Sequence, residues 1–323
     1  MVIKMKIVVL ERDSIGRDVC LDSLKKFGEV TMYANTVAPE VADRVKDADI
    51  IIANKAPMKE ETLKNAPDVK LICEFATGYD NVDLEYCKKR GIKVANVVNY
   101  STAAVAQHTF ALCFYVLEKL RHYDDYVKSG EYASQSRFSN FDLPFTELEG
   151  KTWGIVGMGN IGRKVAQIAE AYGCKVIFYS ASGNSRCTDY KRVDLETLLH
   201  ESDFLSLHCP LSDKTRHLVD LDALKKMKKT AILINVARGP VVKDEDLYTA
   251  LTEGIIAGAG LVVSGTEPMQ DSNPLSKIQD STKLIITPHM AWASTEARNR
   301  LAEETYKNIE AFCSGINRNI VNL

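Results

Sequence analysis

The sequence feature that most constrains the fold is a glycine-rich segment, residues 151–166, near the middle of the 323-residue chain. An apolar run there ends in Gly157-x-Gly159-x-x-Gly162, and apolar residues then recur at helical spacing. A strand, a tight glycine turn and a helix form the context in which this pattern indicates a dinucleotide site. Gly157 suits the turn, Gly159 leaves room for a pyrophosphate, and Gly162 lets the helix lie close to the strand. The segment therefore predicts a nucleotide-binding unit that begins at residue 151.

Short β-like runs alternate with helical patterns on both sides of this segment. Predicted strands lie at 6–11, 29–33, 49–54, 70–77 and 93–97, with helical stretches near 15–27, 39–47, 60–65 and 83–90. A second series of strands lies near 151–156, 175–180, 203–208, 230–236, 255–263 and 284–287. Such alternation produces parallel sheets covered by helices on both faces. The predicted fold class is α/β, with two Rossmann-like, doubly wound parallel-sheet domains and a cleft between them.

Two longer helices, predicted at 101–129 and 294–313, set the domain organisation. Because the second strand series ends near 287, the last helix can return to the first domain. We therefore expect a discontinuous substrate domain, 1–100 plus 294–323, and a dinucleotide-binding domain, 101–293. Segment 121–150 is rich in aromatic residues and fits neither sheet, so it is either a lid or a subunit-contact arm. We favour a dimerisation arm and hence a homodimer.

Composition excludes several classes of function. The net charge of −2 offers no bulk attraction to nucleic acid or to an anionic membrane. The eight cysteines are scattered without a C-x-x-C pair, which predicts free thiols in a reducing, cytoplasmic compartment. The six histidines lack metal-ligand spacing, so no metal site is expected, and His108 is expected to be a packing residue. The apolar run at the amino terminus is too short for a signal peptide, and no run approaches the roughly 20 residues of a membrane span.

Three residues with complementary chemistry follow predicted strands of the second series: Arg238, Glu267 and His289. In open α/β sheets, ligands bind beyond the carboxyl ends of the strands. An arginine can grip a carboxylate at two points, a histidine can donate a proton to a carbonyl oxygen, and a carboxylate can orient that histidine. Taken singly, each residue could be a solvated charge, a turn residue or a strand cap. Together they predict hydride transfer between a nicotinamide cofactor and a 2-oxo acid.

The motifs around these residues resemble the D-isomer-specific 2-hydroxyacid dehydrogenase family over almost the whole chain. The carriers are the glycine segment 157–162, Asn235-Val236-Ala237-Arg238-Gly239, Glu267-Pro268 and Thr287-Pro288-His289. The resemblance implies that Arg238, Glu267 and His289 are catalytic, and that backbone N–H groups around Gly78 and Tyr79 hold the substrate carboxylate. Besides the three glycines, it implies cofactor contacts from Thr77, Asn160, Ile161, His208, Cys209, Pro210, Thr215, Val236, Ala237, Val262 and Ala291. The family fold also has the discontinuous first domain and the dimer arm.

Within the family, the resemblance is closest to glycerate dehydrogenases, also called hydroxypyruvate reductases. It rests on segments 291–298 and 105–107 and on the aromatic arm. It implies that a small 2-oxo acid, hydroxypyruvate or glyoxylate, is reduced to D-glycerate or glycolate. Candidates for the pocket around the substrate side chain are Asn54, Tyr79, Tyr100, Trp292 and Phe138 or Phe141. Ordinary packing is the alternative for each aromatic residue, and a D-lactate-type or aryl-lactate-type activity remains open.

The cofactor is expected to be NAD(P)(H), and two departures from the family pattern affect it. Ser180 stands where NAD-preferring members carry an acid, and Ser182 and Arg186 follow it. Hydroxyl groups and a guanidinium favour the 2′-phosphate of NADP(H), although a plain polar turn that accepts NAD is the alternative. Val262 stands where many members have an aspartate near the nicotinamide amide. A binding protein of another class, a nucleotide-sensing corepressor built on the same scaffold, is the remaining alternative.

Overall fold

A five-stranded parallel sheet forms the centre of the first of two units in the computed structural model, which describes residues 4–323. Its strands are β1 (Met5–Val9), β2 (Gly28–Met32), β3 (Ile50–Ala53), β4 (Leu71–Glu74) and β5 (Lys93–Ala95). They lie in the order β2-β1-β3-β4-β5. Every residue of β3 and β4 is buried, as expected of parallel strands covered on both faces. The N-terminal run therefore begins a sheet at Met5, and residues 1–3 lie outside the described part of the chain.

The helices of the amino-terminal part are short: α1 (Val41–Val45), α2 (Glu60–Leu63) and α3 (Leu84–Lys89). The helix predicted at 15–27 is wrong. Two 3₁₀ turns, Arg12–Ile15 and Asp22–Lys26, take its place. Gly16 lies between them at φ +80°, a left-handed conformation that interrupts a right-handed helix. A further 3₁₀ turn, Ala38–Glu40, precedes α1.

The second unit, Thr102–Trp292, contains a seven-stranded parallel sheet. Its strands are β6 (Thr152–Val156), β7 (Lys175–Tyr179), β8 (Lys191–Arg192), β9 (Phe204–Leu207), β10 (Ile232–Asn235), β11 (Gly258–Leu261) and β12 (Leu284–Ile286). The order is β12-β11-β10-β9-β6-β7-β8, which is the order of a dinucleotide-binding domain with one strand added at the edge. The short edge strand β8 was not predicted. The two doubly wound parallel-sheet units predicted from the sequence are confirmed.

Seven helices accompany this sheet among the described residues. They are α4 (Thr102–Leu117), α5 (Leu120–Lys128), α6 (Glu131–Ser134), α7 (Asn160–Ala171), α8 (Leu195–Glu201), α9 (Leu221–Lys226) and α10 (Asp244–Thr252). The helix α4 lies against β11 because two strand glycines leave room for it. A Cβ atom on Gly258 would come within 2.5 Å of Val116 Cγ1, and one on Gly260 within 2.8 Å of Leu112 Cβ. The absence of these side chains thus brings α4 onto the carboxyl-terminal half of the sheet.

The single helix predicted at 101–129 is wrong, because the chain breaks between α4 and α5. Lys119 adopts a left-handed conformation, φ 55°, and its Nζ donates to the carbonyl of Thr282 at 3.0 Å. Burial lowers the pKa of this lysine from its usual value. A left-handed residue cannot continue the helical hydrogen-bond ladder. With no glycine or proline at this point, the sequence pattern did not indicate the break.

The chain returns to the first unit through helix α11 (Thr295–Cys313), which begins where the Ser294 hydroxyl accepts a hydrogen bond from the Ala297 N–H. Asn308 of α11 donates to the carbonyl of Asn96 at 2.9 Å. The tail then lies beside β5, where the Val321 N–H donates to the carbonyl of Val94 at 2.9 Å. Within residues 4–323, no helix combines the length and apolar character that a membrane crossing requires. The same residues contain no cluster of three or more His, Cys, Asp or Glu side chains arranged to hold a metal ion.

Candidate active site

The glycine turn after β6 has the geometry of a phosphate cradle. Gly157 adopts φ +95°, and a Cβ there would come within 2.9 Å of the backbone of Cys209. A Cβ on Gly162 would lie 2.2 Å from the carbonyl oxygen of Gly157, so only glycine lets α7 approach the turn. Gly159, the N-cap of α7, has nothing within 4 Å of its Cβ position. The open space at Gly159 and the amino-terminal end of α7 suit the pyrophosphate of a dinucleotide.

A cavity of about 570 Å³ lies beside this turn, where the strand order reverses between β6 and β9. Ligands of doubly wound sheets bind at such a reversal. Two positive side chains, Arg186 and Lys214, line the cavity. Among the described residues, no aspartate or glutamate belongs to this lining. The lining also includes several hydroxyl and amide side chains, namely Ser180, Ser182, Asn184, Ser185, Ser212 and Thr215. This composition suits a ligand with phosphate groups.

A hydrogen-bonded chain of three side chains ends at the cavity. The Trp153 indole N–H donates to Ser206 Oγ at 2.9 Å, and Ser206 Oγ lies 2.9 Å from His208 Nε2. Burial lowers the pKa of His208 to about 3, so the ring is neutral near pH 7. Its Nδ1 is buried and has no hydrogen-bond partner within the described residues. Buried polar atoms are rarely left unpaired. Together with the open cradle at Gly159, this atom indicates that the residues present fit a bound dinucleotide.

The predicted cofactor residues occupy several places in the second unit. Those that line the cavity are Gly157, Gly159, Ser180, Ser182, Arg186, His208, Cys209, Pro210 and Thr215. The hydroxyl of Thr215 also serves its own loop, because it donates to the carbonyl of Pro210 at 2.7 Å. The sequence analysis did not identify Lys214 as a lining residue. Its positive charge, four residues after Pro210, could have indicated a contact with a phosphate group.

The remaining predicted cofactor residues lie outside this lining. Asn160 and Ile161 begin α7, Val236 and Ala237 follow β10, and Ala291 is buried two residues after His289. Val262 packs in the core, and its carbonyl accepts a hydrogen bond from the His289 N–H at 2.9 Å. Thr77 belongs to the first unit, where its hydroxyl donates to the carbonyl of Val97 at 2.8 Å.

The three predicted catalytic residues follow three neighbouring strands of one sheet. Arg238 follows β10, Glu267 follows β11 and His289 follows β12. Because parallel strands end at the same edge, all three lie at the carboxyl edge of the sheet. His289 Nδ1 lies 2.6 Å from Glu267 Oε2, with the two side chains 30% and 33% exposed. An imidazole paired with a carboxylate through Nδ1 keeps Nε2 available for proton exchange.

The loops that carry Arg238 and Glu267 are fixed by short-range contacts. Asn235, the last residue of β10, accepts a hydrogen bond from the Ala237 N–H and donates to the carbonyl of Arg238, both at 3.0 Å. Gly239, which follows Arg238, packs closely against the loop that runs from Ser264 to Glu267. A Cβ on Gly239 would lie only 1.8 Å from the carbonyl oxygen of Ser264. Asparagine side chains commonly form such turns. The Asn-Val-Ala-Arg-Gly sequence thus positions the arginine next to the acid-bearing loop.

His289 itself has an unusual backbone, with φ +49°. Its N–H lies 2.9 Å from the carbonyls of both Val262 and Thr287. The side chain of Thr287 in turn lies 3.0 Å from His108 Nε2, on helix α4. His108, expected to be a packing residue, therefore hydrogen-bonds to the segment that carries His289. The apolar pattern of the helix that carries His108 did not predict this hydrogen bond.

The predicted substrate residues Asn54, Gly78, Tyr79 and Tyr100 lie in the first unit, whereas Trp292 belongs to the second. The carboxylate of Glu11 accepts hydrogen bonds from the backbone N–H groups of Asn54, Lys55 and Ala56. Asn81 donates to the carbonyl of Ala56 at 2.9 Å and thereby ties the loop with Gly78 and Tyr79 to the loop with Asn54. Tyr100 is buried, and its carbonyl accepts from Arg300 Nε at 2.8 Å.

Comparison with known proteins gives matches over nearly the full chain. Residues 110–291 match the family described as D-isomer specific 2-hydroxyacid dehydrogenase, NAD binding domain. A hydroxypyruvate reductase from Blautia hydrogenotrophica is 38% identical over 98% of this chain and 100% of its own. A glycerate dehydrogenase from Methylorubrum extorquens is 40% identical, with 98% of each chain covered. The solved structure of an acyclic imino acid reductase with NADPH and D-Arg superimposes with a TM-score of 0.88, at 30% identity, over 98% of this chain and 100% of that one.

Proposed function

Because the chain belongs to the D-isomer-specific 2-hydroxyacid dehydrogenase family, an oxidoreductase family that acts on CH–OH groups with NAD(P), we propose that it reduces hydroxypyruvate or glyoxylate. The products are D-glycerate and glycolate. The relatives named hydroxypyruvate reductase and glycerate dehydrogenase support this choice of substrate. The observation that carries the proposal is the 2.6 Å contact between His289 and Glu267 at the sheet edge that also bears Arg238.

His289 is the proton donor in this proposal. Glu267 holds Nδ1 and stabilises the protonated ring, so Nε2 gives a proton to the substrate carbonyl oxygen during reduction and takes it back in the reverse reaction. The bound nicotinamide supplies the hydride. A His289→Gln variant should lose about 10²- to 10⁴-fold in kcat while cofactor binding stays nearly intact. Near-normal turnover in that variant would remove His289 from the mechanism.

Arg238 binds the substrate carboxylate in this proposal. A guanidinium grips a carboxylate with two parallel hydrogen bonds, which fixes the orientation of the carbonyl carbon. The remaining substrate contacts are those that the resemblance to the family implies: the backbone N–H groups near Gly78 and Tyr79 for the carboxylate, and Asn54, Tyr100 and Trp292 for the rest of the molecule. The proposal keeps the domains predicted from the sequence, with 1–100 plus 294–323 as the substrate domain and 101–293 as the cofactor domain. Arg238→Ala should raise KM for the 2-oxo acid as well as lower kcat.

NADP(H) is the proposed cofactor. Ser180, Ser182 and Arg186 lie beyond β7, beside a cavity that also presents Lys214. Two positive charges and no acid in this lining favour the additional phosphate of NADP(H) over the bare ribose of NAD(H). Steady-state constants with NADPH and NADH test this choice, and Arg186→Ala should weaken NADPH far more than NADH. A strong preference of the unmodified chain for NADH would contradict a phosphate site at these residues.

A substrate screen distinguishes the proposed function from its alternatives. Hydroxypyruvate, glyoxylate, pyruvate and phenylpyruvate are offered to the purified chain with NADPH or NADH, and oxidation of the cofactor is followed by its absorbance. The largest kcat/KM is expected with hydroxypyruvate or glyoxylate. A higher value with pyruvate or phenylpyruvate would indicate a lactate-type or aryl-lactate-type enzyme. Cofactor binding without turnover of any substrate would indicate a nucleotide-sensing binding protein.

A homodimer that pairs through segment 121–150 completes the proposal. Phe138 is 90% exposed, Phe141 71% and Phe145 57%, and such a group of large exposed aromatic residues is rare on a monomer. Light scattering should give a mass of about twice 35.9 kDa. Phe138→Asp with Phe141→Asp should reduce it to the mass of one chain, whereas a monomeric unmodified chain would contradict the arm. The eight cysteines are free, which supports a reducing, cytoplasmic location.

A further inference from the structure

His108 links helix α4 to the strand end that precedes His289. Its Nε2 lies 3.0 Å from Thr287 Oγ1, and the Thr287 hydroxyl also lies 3.4 Å from the carbonyl oxygen of Leu261. The direction of the first contact depends on the tautomer of His108: a protonated Nε2 donates to Oγ1 and leaves the hydroxyl proton for Leu261, whereas an unprotonated Nε2 accepts that proton. In either neutral tautomer of His108, the ring and the hydroxyl share one hydrogen bond. Burial lowers the pKa of His108, which favours the neutral ring.

The position of Thr287 determines the position of His289 because the intervening residue is stiff. Pro288 fixes its own φ and restricts the residue before it. The His289 N–H then closes a three-residue turn onto the carbonyl of Thr287 at 2.9 Å. The left-handed φ of His289 is sparsely populated for a non-glycine residue and persists only where the surroundings hold it. A displacement of Thr287 therefore moves the imidazole directly.

The two ends of this hydrogen bond lie close in sequence to the two points at which the chain passes between its units. His108 comes six residues after Thr102, the first residue of the second unit, and Thr287 comes five before Trp292, its last. Helix α4 begins at that first crossing and packs against β11. The bond thus joins α4 to the end of β12 within the second unit, next to the proposed proton donor.

We propose that His108 is a positioning residue for His289: its hydrogen bond to Thr287 holds the Thr287–Pro288–His289 turn so that the imidazole stays on Glu267 and Nε2 faces the substrate. This role rests on the proposed function, in which His289 is the proton donor. His108 does not contact the reacting atoms. Its effect is expected in the rate of proton transfer and not in the affinity for cofactor.

The first test removes the bond from each side. His108→Phe keeps a ring of similar volume and Thr287→Val keeps the branched shape, but neither can make the hydrogen bond. Each should lower kcat for 2-oxo acid reduction by about 10- to 100-fold, the range expected when a catalytic group is misplaced by a fraction of an ångström to 1 Å. KM for the nicotinamide cofactor should stay within about twofold. The double variant should be no slower than the slower single variant, since both changes remove the same bond.

Conservative variants and a neighbouring residue provide the controls. His108→Gln offers an amide at similar reach, and Thr287→Ser keeps the hydroxyl, so both should recover most of the lost kcat. Thr109→Val removes a different hydroxyl bond of the same helix, from Thr109 Oγ1 to the carbonyl of Val105 at 2.8 Å. It should lower the melting temperature without the loss in kcat. If Thr109→Val slows the reaction as much as His108→Phe, the effect is one of stability and the proposal fails.

The second test does not depend on turnover. The chain has six histidines, so the ring signal of His289 can be identified in NMR spectra by its loss in His289→Gln. That signal should shift or broaden in His108→Phe and Thr287→Val and stay unchanged in Thr109→Val. Unchanged kcat and an unmoved His289 signal in both variants would overturn the proposal. If the unmodified chain reduces no 2-oxo acid, the proposed function fails, and the NMR comparison still decides whether His108 positions His289.

Discussion

Replacement of Glu267 by glutamine tests the proposed proton donor through its partner. Glutamine keeps the shape of the side chain and an oxygen that can accept the N–H of His289 Nδ1. It removes the negative charge, which lies 2.6 Å from the ring nitrogen. The substitution therefore separates the effect of the charge from the effect of the hydrogen bond that orients the ring.

The magnitude follows from the distance and the exposure of the pair. At an effective dielectric constant of 20, two unit charges 2.6 Å apart interact by roughly 6 kcal/mol, which is an upper limit before the cost of desolvation. Hydrogen bonds to charged groups contribute about 1.5–3 kcal/mol net. Because both side chains are about one-third exposed, we use this net range of about 1.5–3 kcal/mol and not the larger Coulomb value. Loss of that stabilisation of the protonated ring corresponds to a decrease of roughly 10- to 150-fold in kcat/KM.

The assay is the rate of cofactor oxidation with the preferred 2-oxo acid, measured from pH 5 to pH 9. Glu267→Gln lacks the charge that stabilises the proton donor, so its kcat/KM should stay below that of the unmodified chain throughout this range. Glu253→Gln is the matched control, because it removes the same charge from an exposed residue at the end of α10. Its kcat/KM should equal that of the unmodified chain. Equal kcat/KM in Glu267→Gln and in the unmodified chain at every pH would refute the catalytic role of this pairing.

Three further substitutions test the first sheet, the Arg238 turn and the glycine turn. Burial raises the pKa of Glu74 to about 8 from 4.5, so the native state keeps a proton that the unfolded state releases, and stability falls as pH rises from about 4.5 to 8. Glu74→Gln should therefore gain stability relative to the unmodified chain over this range, by at most about 1.4 kcal/mol per pH unit in urea unfolding; a pH-independent difference would contradict this. Asn235→Ala removes both bonds that hold the Arg238 turn and should lower kcat/KM about 10-fold or more, which unchanged kinetics would disprove. Gly162→Ala places a Cβ 2.2 Å from the Gly157 carbonyl oxygen and should weaken NADPH binding about 10-fold in a fluorescence titration, and an unaltered Kd would count against the close helix approach.

The parts of the fold that could be predicted are those with a local cause. Apolar runs bounded by helical patterns located the strands of both sheets, because parallel strands buried on two faces need continuous apolar residues. The glycine turn was predictable residue by residue, because a side chain at Gly157 or Gly162 would collide with neighbouring backbone atoms. Residues just beyond strand ends were predictable as a set, because parallel strands share one carboxyl edge.

The features that the sequence did not predict depend on contacts between distant segments. Lys119 interrupts α4 in a left-handed conformation that a carbonyl more than 160 positions later, Thr282, holds in place. His108 lies in an apolar helical pattern, and its partner Thr287 is 179 positions away. Lys214 lines the cofactor cavity from a loop without a motif of its own. Helical periodicity reports which face of a segment is buried, but it does not report what that face meets.

The location of the proposed catalytic residues has a consequence for how the site is assembled. Arg238, Glu267 and His289 all belong to the second unit, on consecutive neighbours β10, β11 and β12. Their mutual geometry is set by one sheet and by local anchors, namely Asn235 for the arginine turn and Thr287 for the histidine turn. Sites built on rigid neighbouring elements hold their geometry better than sites assembled from separate loops. The acid–base pair of the proposed mechanism is therefore formed within one compact unit, on three neighbouring strands of one sheet.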